Sequence, residues 1–417
     1  MEALRWASAT STKAEAAGAA AEVAETLAAD LGAGPVDLAL AFFSAAHVRS
    51  AAALAASLRE RLAPGCFAGV SAHGVVSTHH ELERSPALTV LAARLPGVRV
   101  SGFILLAETW AEAAEDPLEF ARLTPGVAGA ELVLVAGDPF SLDAERVLAG
   151  FNRHAPGIRV VGGMASAGGR PGSNALFLND WISERGGLAV ALAGAVRADV
   201  IVSQGCSPVG PPLEVTRVQG NLIVELDGQP ALERAEQVLR ALAGPERERL
   251  QHGLYVGRPV RRTPREAGSA EGRGDYLIRN LLGADRDRGV IALGDLVEKH
   301  ERVRLHVRDA ETAREDLEML LSPQAFDTRA GAALLFACNS RGRGLYGRPD
   351  GDIETLQGAI GGAVPAAGMF CAGELGPVGG RNFLHGHTAS IALVRGKPGS
   401  VPPPAGAPPG SPPTAAG

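Results

Sequence analysis

The sixteen residues Gly373–Thr388 hold a carboxylate, an amide, two imidazoles and a hydroxyl, in Glu374, Asn382, His385, His387 and Thr388. They follow an apolar run in a Gly-rich connection, so they read as one loop with mixed donors and acceptors. The chemistry this suggests is a cradle for a small polar ligand, with Glu374 facing a cation such as an ammonium group. The competing reading is a turn whose side chains satisfy their own backbone. His385 and His387, at i and i+2, would need a further ligand to hold a metal ion. No Cys/His cluster accompanies them, so no metal or cofactor is expected.

Two other positions carry comparable chemistry. Cys338 ends the apolar run Ala332–Ala337 and is followed by Asn339, Arg341 and Arg343. Converging arginines would lower a thiol pKa, and His385 or His387 could act as base to a Cys338 nucleophile. The alternative is an inert thiol at a strand end. Arg308 precedes Asp309, which reads as the cap of a helix from Ala310 to Leu321. With Arg279, Arg308 could hold a ligand carboxylate bidentately, or pair internally with Asp309 or Asp275. Other motifs carry less. Gly342–Gly347 matches G-x-G-x-x-G literally, but Arg348–Asp352 separates it from the next helix, unlike a dinucleotide fingerprint. Around Ser71 the nucleophile-turn pattern fails, because His73 stands where Gly is required.

Composition removes whole classes of function. The 417 residues carry a formal charge of −6, which disfavours general nucleic-acid binding, and 4% aromatics offer few stacking platforms. Lysine occurs only at 13, 299 and 397, in polar surroundings, so Schiff-base chemistry and lysine-dependent phosphate loops lack a residue. Cys66, Cys206, Cys338 and Cys371 form no C-x-x-C pair. Neither an apolar signal core nor a run long enough to span a membrane is present. The expectation is a soluble, reduced, cytoplasmic protein.

The elements that must position these residues recur. Val36–Phe43 and Cys66–Val70 read as strands around a helix from Ala45 to Leu62. Glu131–Val135 and Ile158–Val161 flank a helix from Leu142 to Arg153, and Ala332–Ala337 and Val364–Phe370 flank one near 352–361. Each pair has the span of a crossover unit, and each returning strand breaks at glycines. Residues 12–31 read as a helix. Ala87–Ala93 and Val98–Leu106 read as a hairpin across Pro96-Gly97, and Leu213–Gln219 with Asn221–Leu226 as another across Gly220. Residues 263–274 read as a mobile loop, and the Pro/Ala/Gly-rich residues 396–417 as a disordered tail.

Several runs together resemble a known family. Gly253–Pro259, Gly274–Gly283, His306–Ala310, Leu335–Arg343 and Phe370–Val378 are similar, in order, to the C-terminal FIST domain, named for F-box and intracellular signal transduction proteins. Phe42–Ser44, Gly69–Gly74 and Pro86–Val90 resemble the N-terminal FIST domain more loosely. The resemblance implies an intracellular sensory module that binds a small ligand, amino acids being the suggested class. Nothing outside the FIST region is long enough for an output domain, so a separate signalling protein would receive the signal. The expected architecture is α/β, with mixed sheets built from repeated β-α-β units and added hairpins, in two packed domains. These are a helical segment (1–31), an N-terminal domain (32–226), a C-terminal domain (227–395) and the tail (396–417). The expected ligand contacts are Glu374, Asn382, His385, His387, Thr388, Arg341, Asn339, Cys338 and Arg308, with no catalytic residue and no nucleic-acid or membrane partner. The alternatives are a thiol- or acid/base-dependent enzyme using Cys338 with His385 or His387, and a protein-interaction scaffold.

Overall fold

A computed structural model describes residues 4–250, 253–260 and 276–397. The mobile loop read at 263–274 and the tail beyond Lys397 lie outside the described residues. The fold is α/β with mixed sheets, as the recurrence implied. Its organisation is a threefold repeat over residues 5–94, 98–194 and 196–396. Each repeat runs edge strand, helix or helix pair, strand, helix, parallel strand, hairpin, return strand. The parallel pairs are Leu38–Ser44 with Cys66–Ala72, Ala130–Gly137 with Arg159–Met164, and Ala332–Cys338 with Ala366–Cys371.

The hairpins do not stay with their own repeat. Gly74–Val76 and Glu81–Glu83 leave the first repeat and pair with Ala366–Cys371 of the third. Leu176–Leu178 and Trp181–Ser183 leave the second and pair with Cys66–Ala72 of the first. Glu374–Val378 and Arg381–His385 leave the third and pair with Arg159–Met164 of the second. Three six-stranded sheets result, each completed by its neighbour.

Strands buried on both faces read as unbroken apolar runs. One face of each sheet meets a shared central core that includes Leu40, Phe42, Val70, Leu134, Ala136, Leu334, Phe336 and Met369. The other faces are covered by helices, among them Ala51–Leu62, Ala144–His154 and Gly351–Ala359. The third repeat is interrupted after Val196–Ser203 by a seven-stranded antiparallel sheet that Cys206–Gln219 closes by pairing at both ends. The helix Ala231–Ala241 packs into its apolar face through Ala231, Ala235 and Val238. Position 226, where the sequence reading divides the chain, lies inside this inserted sheet. No helix among the described residues is long and apolar enough to cross a membrane.

Three sequence expectations need correction. Residues Arg5–Ser11 are not part of a helical segment. They form an edge strand on Leu88–Arg94, and the helix begins at Ala16, capped by Glu15. Leu88–Arg94 and Val98–Leu105 form no hairpin, because each finds antiparallel partners in a different sheet. Pro96-Gly97 instead carries the chain from the first repeat to the second. Residues 374–385 are a hairpin turning at Gly379-Gly380, both at positive φ, not a loop. The Gly220 hairpin forms as read, with Gln219 opposite Leu222.

The recurring glycines have a spatial cause. Gly69, Gly162 and Gly368 occupy the same place in the three returning strands, opposite Phe177, Leu375 and Val76 of the incoming hairpins. A Cβ at Gly162 or Gly368 would collide with the carbonyl oxygen of Val135 or Leu335 on the adjacent strand. Gly368→Ala is therefore expected to lower stability by at least about 2 kcal/mol in urea unfolding, through overpacking against backbone. Gly358→Ala, in a helix with open space around it, is the control and should gain roughly 0.5–1 kcal/mol. Equal effects of the two substitutions would refute the steric account.

Candidate functional site

The inserted sheet lies against the strand ends of the third repeat, and the polar residues gather at that junction. Cys338 ends the first parallel strand, and Cys371 stands beside it in register at the end of the second. Thr388 precedes the return strand and accepts at its carbonyl the N–H of Cys338 at 2.9 Å. Ser44 with Ala87, and Asp138 with Gly186, make the same backbone bond in the other repeats. The insertion contributes Arg308 from Arg302–Arg308, Tyr255 from Leu254–Pro259 and Asn280 from Tyr276–Asp285.

His387 is the hinge of the cluster. Its Nε2 donates to Asn280 Oδ1 at 2.7 Å, which leaves Nδ1 as an acceptor 3.0 Å from Ser340 Oγ. Its ring lies 4.5 Å from that of Tyr255. Burial, with the Arg308 and Arg341 charges, lowers its pKa to about 4, so it is neutral at pH 7. Ser340 Oγ is also 3.1 Å from Cys338 Sγ and accepts from Arg308 Nη1 at 2.7 Å. Burial, followed by the neighbouring Glu374, pushes the Cys338 thiol up rather than down.

Glu374 is fully buried and accepts from the Thr388 N–H at 3.2 Å and the Thr388 hydroxyl at 2.9 Å, both at Oε2. Desolvation raises its carboxyl to about 8 against the pull of Thr388, Arg341 and Arg308. So raised, the carboxyl is mostly protonated at pH 7, whereas the ammonium partner suggested by the sequence would be ionised. The corresponding hairpin positions in the other repeats are Val75 and Leu176, both apolar.

Of the nine expected contacts, Cys338, Asn339, Arg308, Glu374, His387 and Thr388 meet here, with Asn339 exposed at the rim. The other three do structural work. Asn382 stitches the hairpin to its host sheet, accepting from Val160 N and donating to the Ile158 carbonyl, both at 2.9 Å. His385 Nε2 donates to the Gly376 carbonyl of its own hairpin at 2.9 Å, and burial lowers its pKa to about 4. Arg341 is fully enclosed and gripped bidentately by Asp352, at 2.7 and 2.6 Å, with Tyr346 Oη at 2.8 Å. Arg279 pairs with Asp295 and lines a separate surface groove of about 340 Å³ with Asn382. Asp309 caps its helix, accepting from Thr312 N at 2.9 Å.

Sequence reasoning passed over Ser340, Asn280 and Tyr255, although all three stand in or beside the quoted motif runs. Their types alone carried no signal until the insertion brought them to His387. Among the described residues no group of three His, Cys, Asp or Glu is arranged to hold a metal ion.

With this geometry in hand, comparison with known proteins gives the class. The FIST N domain model matches residues 37–229 and the FIST C domain model residues 231–377. The chain belongs to the FIST family. An uncharacterized protein of Mycobacterium tuberculosis (strain ATCC 25618 / H37Rv) is 37% identical over 386 residues, covering 90% of this chain and 95% of its own. One from Mycobacterium bovis (strain ATCC BAA-935 / AF2122/97) is 37% identical over 393 residues, covering 92% and 96%. Among solved structures, a cyanuric acid hydrolase from A. caulinodans aligns over 94% of this chain and 99% of its own, with a TM-score of 0.37 and 8% identity. A second cyanuric acid hydrolase covers 95% and 100%, with a TM-score of 0.33 and 10% identity. Similarity at that level carries nothing about activity.

The Arg341–Asp352 pair anchors the loop that carries Ser340. Glu81, from the first repeat's hairpin, supports it by accepting from Asp352 N and Ile353 N at 2.9 Å. Breaking a buried ion pair leaves an uncompensated charge, so Asp352→Asn is expected to cost about 3–5 kcal/mol in chemical unfolding. Glu354→Gln, which breaks the exposed Arg348 pair, should stay within about 1 kcal/mol. A small effect at Asp352 would mean the pair is not the anchor.

Proposed function

We propose that this chain is a sensory protein that binds a small, carboxylate-bearing polar molecule at the junction of the inserted sheet and the third repeat. It does so without covalent chemistry and signals through a separate protein in the cytoplasm. The observation that carries this reading is Arg308. Its side chain is 3% exposed, and its Nε and Nη2 are buried without a hydrogen-bond partner. Nη1 alone is engaged, by Ser340 and by His387 at 3.3 Å. A buried cation lacking a counter-charge is costly to the empty protein, and a bound anion would remove that cost. The half-exposed Cys338 and Ser340 and the exposed Asn339 and Asn280 mark the solvent side of the cluster.

The second reading is thiol chemistry, favoured by the hydrogen-bonded series Cys338, Ser340, His387, Asn280. It has the order of a nucleophile, a relay, a base and an orienting group. Against it stand the raised thiol pKa and the lowered imidazole pKa, neither of which favours a thiolate–imidazolium pair. His385 has no part in it, since its ring is committed within its own hairpin.

Thermal shift against a panel of amino acids, oxo acids and hydroxy acids tests the sensor. A ligand at 100 times its dissociation constant stabilises by about 2.7 kcal/mol. The hit is expected to disappear in Arg308→Gln, whose empty form should be at least as stable as the parent because it loses an unpaired buried charge. A hit that survives Arg308→Gln would place the ligand elsewhere. Cys338 should react with iodoacetamide more slowly than free cysteine at pH 7. Faster reaction, with turnover of the ligand that Cys338→Ala abolishes, would favour the enzyme.

A further inference from the structure

Three arginines among the described residues are at most 3% exposed: Arg308, Arg341 and Arg395. Asp352 neutralises Arg341, and Asp199 neutralises Arg395 at 2.7 Å. Arg308 has no carboxylate within ion-pair distance among the described residues. Its two unpartnered nitrogens are not scattered. Nε and Nη2 form one edge of the guanidinium, the edge that presents two parallel N–H bonds to a carboxylate.

Beside Arg308, Glu374 Oε1 and, opposite in the hairpin, His385 Nδ1 are also buried without a partner. Because Oε2 accepts two bonds from Thr388, the proton of the neutral acid sits on Oε1, which makes that atom a donor. The neighbours facing Glu374 supply no negative charge at neutral pH. Cys338 and Cys371 are thiols kept protonated by burial. His385, directly opposite in the hairpin, is neutral. Arg341 is already paired, and Arg308 is the cation in question. The vacant groups therefore number three donors, one neutral acceptor at His385 Nδ1 and no anion, whereas an ammonium group needs several acceptors and a negative charge.

We propose that the ligand is a small carboxylate whose second polar group is a hydrogen-bond acceptor, as in a 2-oxo or 2-hydroxy acid, and not an amino acid. Arg308 holds the carboxylate through Nε and Nη2, and Glu374 donates from Oε1 to the second group. This rests on the sensor reading above and narrows it to one ligand chemistry.

Pyruvate, lactate and alanine share one carbon skeleton and differ at the second group, so calorimetric titration of the full chain with each separates the alternatives. Pyruvate or lactate is expected to bind at least tenfold tighter than alanine. Ionisation of Glu374 sets a negative charge beside the ligand carboxylate, so binding weakens as pH rises through about 8. With only the protonated fraction competent, affinity should fall about tenfold between pH 7 and pH 9. That fall should vanish in Glu374→Gln, which keeps the acceptor for Thr388 and a permanent donor at the other atom. Arg308→Lys, which keeps the charge but loses the two-toothed edge, should weaken binding at every pH.

Alanine binding as tightly as pyruvate and lactate would mark Glu374 as an ammonium partner, and Glu374→Gln abolishing binding at pH 7 would show that a neutral donor there does not suffice; either result overturns the proposal. If none of the three binds while other hits still require Arg308, this ligand class is wrong and the sensor reading stands. Hits indifferent to Arg308 overturn both.

Discussion

The glycine within each returning strand, where no side chain has room, is the constraint on which this architecture rests. At Gly162 and Gly368 a carbonyl of the adjacent parallel strand, and at Gly69 the Phe177 ring of the borrowed hairpin, lies where a Cβ would be. There each borrowed hairpin passes along one side of the returning strand and its parallel neighbour along the other. The passage turns three crossover units into one body with a common apolar centre, and it carries Glu374 and Glu81 out of their own repeats. Glu374 reaches the site by that crossing, while the inserted sheet brings Arg308, Tyr255 and Asn280.

The site is a local departure from that repetition. Where two repeats place Val75 and Leu176, the third places an acid; where two place Ser44 and Asp138, it places Cys338. Departures from an otherwise consistent pattern are where function is expected, because they reduce stability unless something else compensates. Here the compensation is partial. Thr388 serves one oxygen of Glu374 and leaves the other unpartnered, and Ser340 serves one edge of Arg308 and leaves the other. Arg341, close by and equally buried, shows the contrasting case, with its donors met by Asp352, Tyr346 and a 3.5 Å approach to the His387 carbonyl.

Much of this was legible in the residues. The crossover units follow from apolar runs ended by glycines, and the family from ordered motifs. Six of the nine expected contacts do converge. What could not be read was the destination of the hairpins. Glu374 and His385 are eleven positions apart and directly opposed in register, yet only one belongs to the site. Asn382 and His385 carry the same chemical promise as His387, but backbone groups absorb it. Nor does any local pattern reveal that Leu88–Arg94 and Val98–Leu105 join different sheets, because the choice between partners is made by distant strands. Charge type was misleading for Glu374, since complete burial decides its protonation and burial is a tertiary property.

The exchange of hairpins also bears on how the chain reaches this state. Residues 75–76 pair with 369–368, so the third sheet joins segments far apart in the sequence. The second sheet waits for residues 374–385. Pairings this distant are slow to form, since loop closure precedes any stabilising contact. Until the last repeat emerges, Arg159–Met164 offers an open edge, the kind of surface that pairs with other chains. The same borrowing that joins the repeats leaves the growing chain dependent on its own C-terminal third for protection, and makes a truncated product a candidate for aggregation rather than a smaller folded protein.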